Sequence, residues 1–340
     1  MSRHLLALSL LIAAPVAAQS APRIDSAPGY VAYVSGRATD VATTPQGGVL
    51  LAGGGTDSDD GMRWLLAQGG THASGQFGDV VVLRASGADG YNQFLLDRGA
   101  NSVTSIVITS VAGASSNFVR RAIERAEVLF IAGGDQSRYV KLWTGTALQA
   151  AVNARVAAGY PIGGTSAGLA VLGPYVYAAY NVSSVSRTVL AQPYDSSVTL
   201  TRALFAVPGL DNVITDSHFV ARDRMGRLLT FLARLQQDFG VAAPRAIAVD
   251  ERSAITVTRT GQATVVGAGR GAYLVQVAGD VDRVCRNTDP PTPLTLSAAR
   301  VLHVPVGQAF DVPSWTTSAG SPYTLRVDRG VLTSSTHSVY

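Results

Sequence analysis

The sequence predicts an α/β fold built on an open, mostly parallel sheet flanked by helices, and three observations predict it. Short runs nearly continuous in Val, Leu, Ile and Phe recur between residues 47 and 163. Stretches with apolar residues at helical spacing separate them. Glycine-rich turns close the runs at 53–55, 133–134 and 163–164. Strands buried on both faces read as continuous apolar runs, and parallel strands need a crossover, usually a helix, between them. In such sheets the loops at the carboxyl ends of the strands carry the functional groups.

The elements follow in order. Gly48-Val49-Leu50-Leu51-Ala52 reads as a strand that runs into Gly53-Gly54-Gly55. Residues 57–68 read as a helix capped by Asp57 or Ser58. Residues 79–83 form a second strand, 90–98 a helical stretch and 105–108 a third strand. Ser115 or Ser116 caps the next helix, where Phe118, Val119, Ala122, Ile123 and Ala126 recur at helical spacing. Val128-Leu129-Phe130-Ile131-Ala132 is a fourth strand. A long helical stretch then ends at Gly159, and Tyr160-Pro161-Ile162-Gly163 leads into Gly164-Thr165-Ser166-Ala167-Gly168. The second half is richer in short strands. Asn212-Val213-Ile214-Thr215 leads to Asp216-Ser217-His218, and Ala246-Ile247-Ala248-Val249 leads to Asp250-Glu251. Leu228, Leu232, Leu235 and Phe239 mark one helix face. Residues 255–277 and 294–310 read as hairpins, with one further strand at 323–327.

Bulk properties narrow the class. The 340 residues are 47% hydrophobic and 15% charged, enough apolar content for a sizeable core. Arg3 and His4, the apolar run 5–14, Pro15 and Val16-Ala17-Ala18 have the layout of a secretory signal peptide cut after Ala18. That run is too short to span a bilayer, and no Cys near the cut supports a lipid anchor, so the expected location is periplasmic or extracellular without a membrane anchor. The organisation expected is signal peptide 1–18, N-terminal segment 19–46, catalytic domain 47–314 and C-terminal extension 315–340. Cys285 is the single cysteine, so it closes no internal disulfide and reads as a structural thiol. The net charge is +4 with scattered basic residues, which argues against a nucleic-acid partner.

The chemistry concentrates in a few motifs. Gly164-Thr165-Ser166-Ala167-Gly168 matches G-x-S-x-G between a strand and a helix. A sharp strand-to-helix turn exposes a serine hydroxyl to a base, and its backbone N–H groups help form an oxyanion hole. Ser166 is thus the candidate nucleophile. Of the histidines beyond the signal, His72 lies in a glycine loop, His303 on an alternating strand and His337 near the terminus. His218 follows an apolar strand and is the candidate base. Glu251, Asp250 and Asp216 compete as the acid that orients it, and spacing does not choose among them. Gly133-Gly134-Asp135-Gln136 can point N–H groups at a ligand, or simply turn into a helix capped by Asp135. Gly53-Gly54-Gly55 fits neither nucleotide-binding pattern. Asp57, Asp59 and Asp60 lack calcium-loop spacing and suit a helix N-terminus. Arg222, Arg224 and Arg227 could grip carboxylates.

These blocks together resemble cyanophycinase and the wider S51 serine peptidases. The blocks are Gly133-Gly134-Asp135-Gln136, Gly163 to Gly168, Asp216-Ser217-His218-Phe219 with its three arginines, and Val249-Asp250-Glu251. The resemblance covers residues 47–313, includes the family's closing strands at 294–312, and with the export signal points to the extracellular branch. It implies a class I glutamine amidotransferase-like, flavodoxin-like fold with additional C-terminal strands and serine in place of cysteine. It carries the nucleophile onto Ser166, the base onto His218 and the acid onto Glu251. It further implies oxyanion or substrate contacts at Gly134, Asp135, Gln136, Ala167, Asp216, Arg222, Arg224 and Arg227. The implied substrate is cyanophycin, a polyaspartate with arginine on each side chain, cut to β-Asp-Arg dipeptides without metal or organic cofactor. Ser217 and Arg252 depart from the usual residues beside the site. The alternatives are an S51 dipeptidase for other aspartyl or isoaspartyl peptides, and a secreted binding protein on the same fold. A homodimer is among the expected assemblies.

Overall fold

A computed structural model describes residues 21–279, 282–318 and 322–340. The expected signal peptide lies outside the described residues. Two sheets organise the chain, and the candidate site forms where they meet.

The first sheet has at its centre five parallel strands in the order Ser102–Ile108, Val80–Arg84, Val128–Ile131, Ile162–Thr165 and Val49–Ala52. Their apolar runs are buried on both faces, as continuous Val/Leu/Ile composition requires. Antiparallel strands extend both edges. Tyr30–Gly36 and Arg23–Ala27 add beyond Ser102–Ile108, while Ser253–Val257, Gln262–Gly267, Ala309–Asp311 and Thr316–Thr317 add beyond Val49–Ala52. The second sheet runs in the order Val331–Ser334, Tyr323–Asp328, Thr295–Val304, Ala272–Gln276, Arg245–Val249, Val213–Asp216, Tyr175–Tyr177 and Leu200–Arg202, with Arg283–Val284 paired beside Thr295–Val304. Val213–Asp216 is parallel to both of its neighbours. The result is the expected α/β architecture with added C-terminal strands.

Helices cover the sheets and are capped where short polar side chains precede them. Ser58 accepts from the Gly61 N–H ahead of Asp59–Gln68, and Ser116 from the Val119 N–H ahead of Asn117–Arg125. The single helix expected before Gly159 is two, Gln136–Trp143 and Ala147–Ala157. Thr146 caps the second, and Gly145 supplies the left-handed turn between them at φ +74°.

The terminal segments are woven into the sheets. Strands within 19–46 lengthen the first sheet; within 315–340, Thr316–Thr317 joins the first sheet while Tyr323–Asp328 and Val331–Ser334 lengthen the second. The last residue reaches back to the core. The Tyr340 hydroxyl accepts from the Met225 N–H at 2.9 Å and donates to Asp223 at 3.0 Å, and its ring meets Phe219 edge-on. Among the described residues no helix is long and apolar enough to cross a membrane.

Candidate active site

Ser166 ends the strand Ile162–Thr165 and opens the short helix Ala167–Ala170. Its backbone lies at φ +54°, ψ −114°, a conformation that costs a non-glycine residue energy and that the surrounding packing must hold. The flanking glycines make the turn sterically feasible. A Cβ at Gly168 would collide with the Ile131 carbonyl, and one at Gly164 with the Gly168 backbone. Ser166 N–H donates to Ala52 O at 3.0 Å, which ties the elbow to the neighbouring strand end.

The other two side chains come from the second sheet. His218 follows Val213–Asp216, at φ +46°, and its N–H donates to Gly53 O at 2.8 Å. Glu251 follows Arg245–Val249. Ser166 Oγ lies 2.7 Å from His218 Nε2, and His218 Nδ1 lies 2.6 Å from Glu251 Oε1. Nδ1 bonded to a carboxylate carries the proton, which leaves Nε2 as the acceptor facing the serine. Burial drives the His218 pKa below 6.5 and outweighs the opposing pull of Glu251, so the ring is neutral at neutral pH. The hydrogen bond from His218 holds the Glu251 carboxyl below its usual range.

The three acids that spacing left open have three different places. Glu251 faces the imidazole. Asp250 Oδ1 accepts from the Val220 and Ala221 N–H groups at 2.9 and 3.0 Å and so fixes the turn after His218. Asp216 is 3% exposed and takes both Nε and Nη2 of Arg227, with Arg224 Nη1 at 3.4 Å. Burial pushes its pKa up, but Arg227 and Arg224 reverse that and leave it lowered.

The cleft beside Ser166 has a volume of about 590 Å³ and is bordered by all the substrate-contact candidates named from sequence: Gly134, Asp135, Gln136, Ala167, Asp216, Arg222, Arg224 and Arg227. The roles of two of these need correction. Asp216 and Arg227 neutralise each other in the floor, and Arg227 is only 2% exposed, so neither is the free charge expected to meet substrate. A salt bridge buried this deeply is uncompensated if either partner turns away. Arg222 is exposed, with Nε 3.9 Å from Glu251. Arg224 spends one nitrogen on Ser217 O at 2.7 Å, and burial lowers its pKa to about 10, still charged at neutrality. Asp135 does cap its helix, accepting from Ser137 N–H at 2.9 Å.

The structure also places residues that the sequence reading passed over. Gly53-Gly54, rejected as a phosphate loop, is the path by which the first sheet passes the histidine. A side chain at Gly54 would strike the His218 ring, and one at Gly53 the Asp250 carbonyl. Arg138, Lys141 and the loop 179–183 also line the cleft. The two cations sit at helical spacing after Gly133-Gly134, a signal the sequence did offer; the loop has none. Cys285 is buried, and burial pushes its thiol up to about 11, far from nucleophile chemistry. His303 stacks on Tyr273 and bonds the Arg270 carbonyl, away from the site.

The model of peptidase family S51 matches residues 91–258, the stretch that contains Ser166, His218 and Glu251. Cyanophycinase of Trichormus variabilis is 28% identical over 235 residues, 66% of this chain and 74% of that protein. Cyanophycinase of Synechococcus elongatus is 27% identical over 265 residues, 76% of each chain. The crystal structure of a peptidase from an acI-B1 Actinobacterium superposes with a TM-score of 0.50 at 16% identity, covering 78% of this chain and 96% of the other, which speaks to the fold. The family model and the cyanophycinase relatives support a serine-type peptidase. The family match and these relatives support a cyanophycinase-like S51 peptidase as what this chain is similar to.

Proposed function

We propose that the protein is an exported serine peptidase of cyanophycinase type, which cuts cyanophycin to β-Asp-Arg dipeptides through Ser166, His218 and Glu251. The observation that carries this is the continuous hydrogen-bonded line from Ser166 Oγ through His218 to Glu251, at 2.7 and 2.6 Å. His218 Nε2 takes the hydroxyl proton as Oγ attacks the peptide carbonyl. The carbonyl π electrons move to oxygen, and backbone N–H groups of Ala167 and Gly134, which border the cleft with Ser166, take up that charge in this reading. His218 then gives its proton to the departing amine, leaving an ester on Ser166. Water, deprotonated by the same nitrogen, releases the acid. Glu251 holds the imidazole in register and stabilises its charged form throughout. Export rests on the layout of residues 1–18.

A second reading, an S51 dipeptidase for other aspartyl or isoaspartyl peptides, is favoured by the cleft's excess of cations over acids, which suits carboxylates generally. One experiment separates the two. Insoluble cyanophycin is incubated with the exported chain and with Ser166→Ala, and products are resolved by chromatography. Release of β-Asp-Arg by the parent alone supports the polymer reading. A folded, probe-reactive parent that releases nothing moves the substrate to other aspartyl peptides.

A further inference from the structure

The cleft holds more positive charge than the proposed chemistry uses. Arg227 is neutralised by Asp216, and Arg222 leans toward Glu251. Arg138 and Lys141 also line the cleft, three residues apart on the helix Gln136–Trp143 that forms one of its walls. Among the described residues neither has a carboxylate within ion-pair distance. Their direction is fixed by what the helix buries on its other side. Tyr139 stacks on Trp143 at 4.4 Å, and its hydroxyl bonds the carbonyls of Ala132 and Gly133 at 2.9 and 3.0 Å. The same bonds set the turn beside Ser166, so the cations are rigidly referenced to the nucleophile.

Lys141 is singular in composition. Of the 27 basic residues in the chain it is the sole lysine. Its Nζ lies 5.2 Å from the Tyr180 ring centroid and 3.5 Å from the Tyr180 carbonyl oxygen. A carbonyl at that distance is a marginal acceptor, so a three-donor ammonium keeps most of its capacity open to the cleft. Tyr180 sits on the loop 179–183, and the far end of that loop is held where Ser183 Oγ accepts from Arg227 Nη1 at 3.2 Å. The loop thus spans from Lys141 to the buried pair beneath His218.

We propose that Lys141 is the specificity-determining residue of this cleft, receiving a free carboxylate that the substrate carries beside its scissile bond. The Tyr180 ring and carbonyl hold the ammonium in place until the carboxylate replaces that weak contact with a charge-assisted one. Arg138 adds a second positive charge to the same wall. This assignment rests on the serine peptidase reading and names its substrate class: peptides selected by a free carboxylate rather than by a cationic side chain.

The test follows labelling of Ser166 by a fluorophosphonate in the exported chain and in its K141Q and K141R variants, with a protecting peptide present. The peptide is a β-Asp-Arg dimer whose arginyl α-carboxylates are either free or amidated. The free acid is expected to protect the parent at a concentration about tenfold lower than the amide does. K141Q loses that preference, and K141R, which keeps the charge, retains most of it. A parent without the preference, or a K141Q that keeps it in full, overturns the assignment. A folded parent that fails to label at Ser166 overturns the serine peptidase reading beneath it, so the two failures are distinguishable. The single lysine permits a second readout. Acylation of Lys141 by an amine-reactive ester, followed by mass, should slow in the presence of the free acid and not the amide; equal slowing by both counts against the proposal.

Discussion

Asp216 and His218 are two residues apart at the end of one strand, yet the structure gives them opposite electrostatic lives. Asp216 points down, is 3% exposed, and is saturated by two guanidiniums that keep it ionised. His218 turns up into the cleft through a left-handed backbone, and burial keeps it neutral against the pull of one carboxylate. The lower constellation is a fixed charge pair that gains from never changing state. Under the proposed mechanism the upper one changes state in every turnover. The comparison teaches that a reactive histidine here is built on an inert ion pair, with the His218 turn pinned from both sides by Gly53 O and Asp250.

Two variants and a pH profile break or sharpen that contrast. Glu251→Gln should do the most to turnover, with kcat falling roughly 10⁴-fold while the fold persists, because an amide leaves the imidazole in the wrong tautomer. Steady-state kinetics beside a circular dichroism spectrum check both halves, and a loss under tenfold would remove Glu251 from the mechanism. Asp216→Asn should act on stability instead. It strands Arg227 in the floor and should cost about 3–5 kcal/mol in urea unfolding. Stability matching the parent would show that the pair is not what supports the turn. The smallest effect is in pH. Turnover needs neutral His218, so the rate rises as pH climbs through its pKa, and a pKa lowered by burial places the acid limb below 6.5. In the residual activity of Glu251→Gln the limb should fall further, since Glu251 is the group that raises that pKa. An acid limb above 6.5 in the parent would contradict the desolvation account.

Legibility from sequence was uneven. The five central strands, the elbow at Ser166 and the choice of His218 could be read, because each depends on local patterns: apolar runs, glycines two residues either side of a serine, a histidine at a strand end. The acid could not be chosen by spacing, since Asp216, Asp250 and Glu251 all stand at strand ends. Their roles depend on which direction each side chain leaves a turn. Gly53-Gly54 was set aside for want of a nucleotide pattern, although its value lies in passing the His218 ring, a contact across 164 residues of chain. Lys141 was silent as a lone cation on a helix until Tyr180 and the cleft gave it a place.

By itself the sequence determined the parallel core, the tight strand-to-helix turn at Ser166 and the chemistry of the residues offered, because periodicity and steric need act over a few residues. Only the tertiary structure decided that Ser166 from one sheet meets His218 and Glu251 from the other, that Asp216 spends its charge on Arg227, and that Lys141 faces the cleft. Those outcomes depend on packing two sheets together, and the free energy of burying or pairing a charge is set by neighbours far away in the chain.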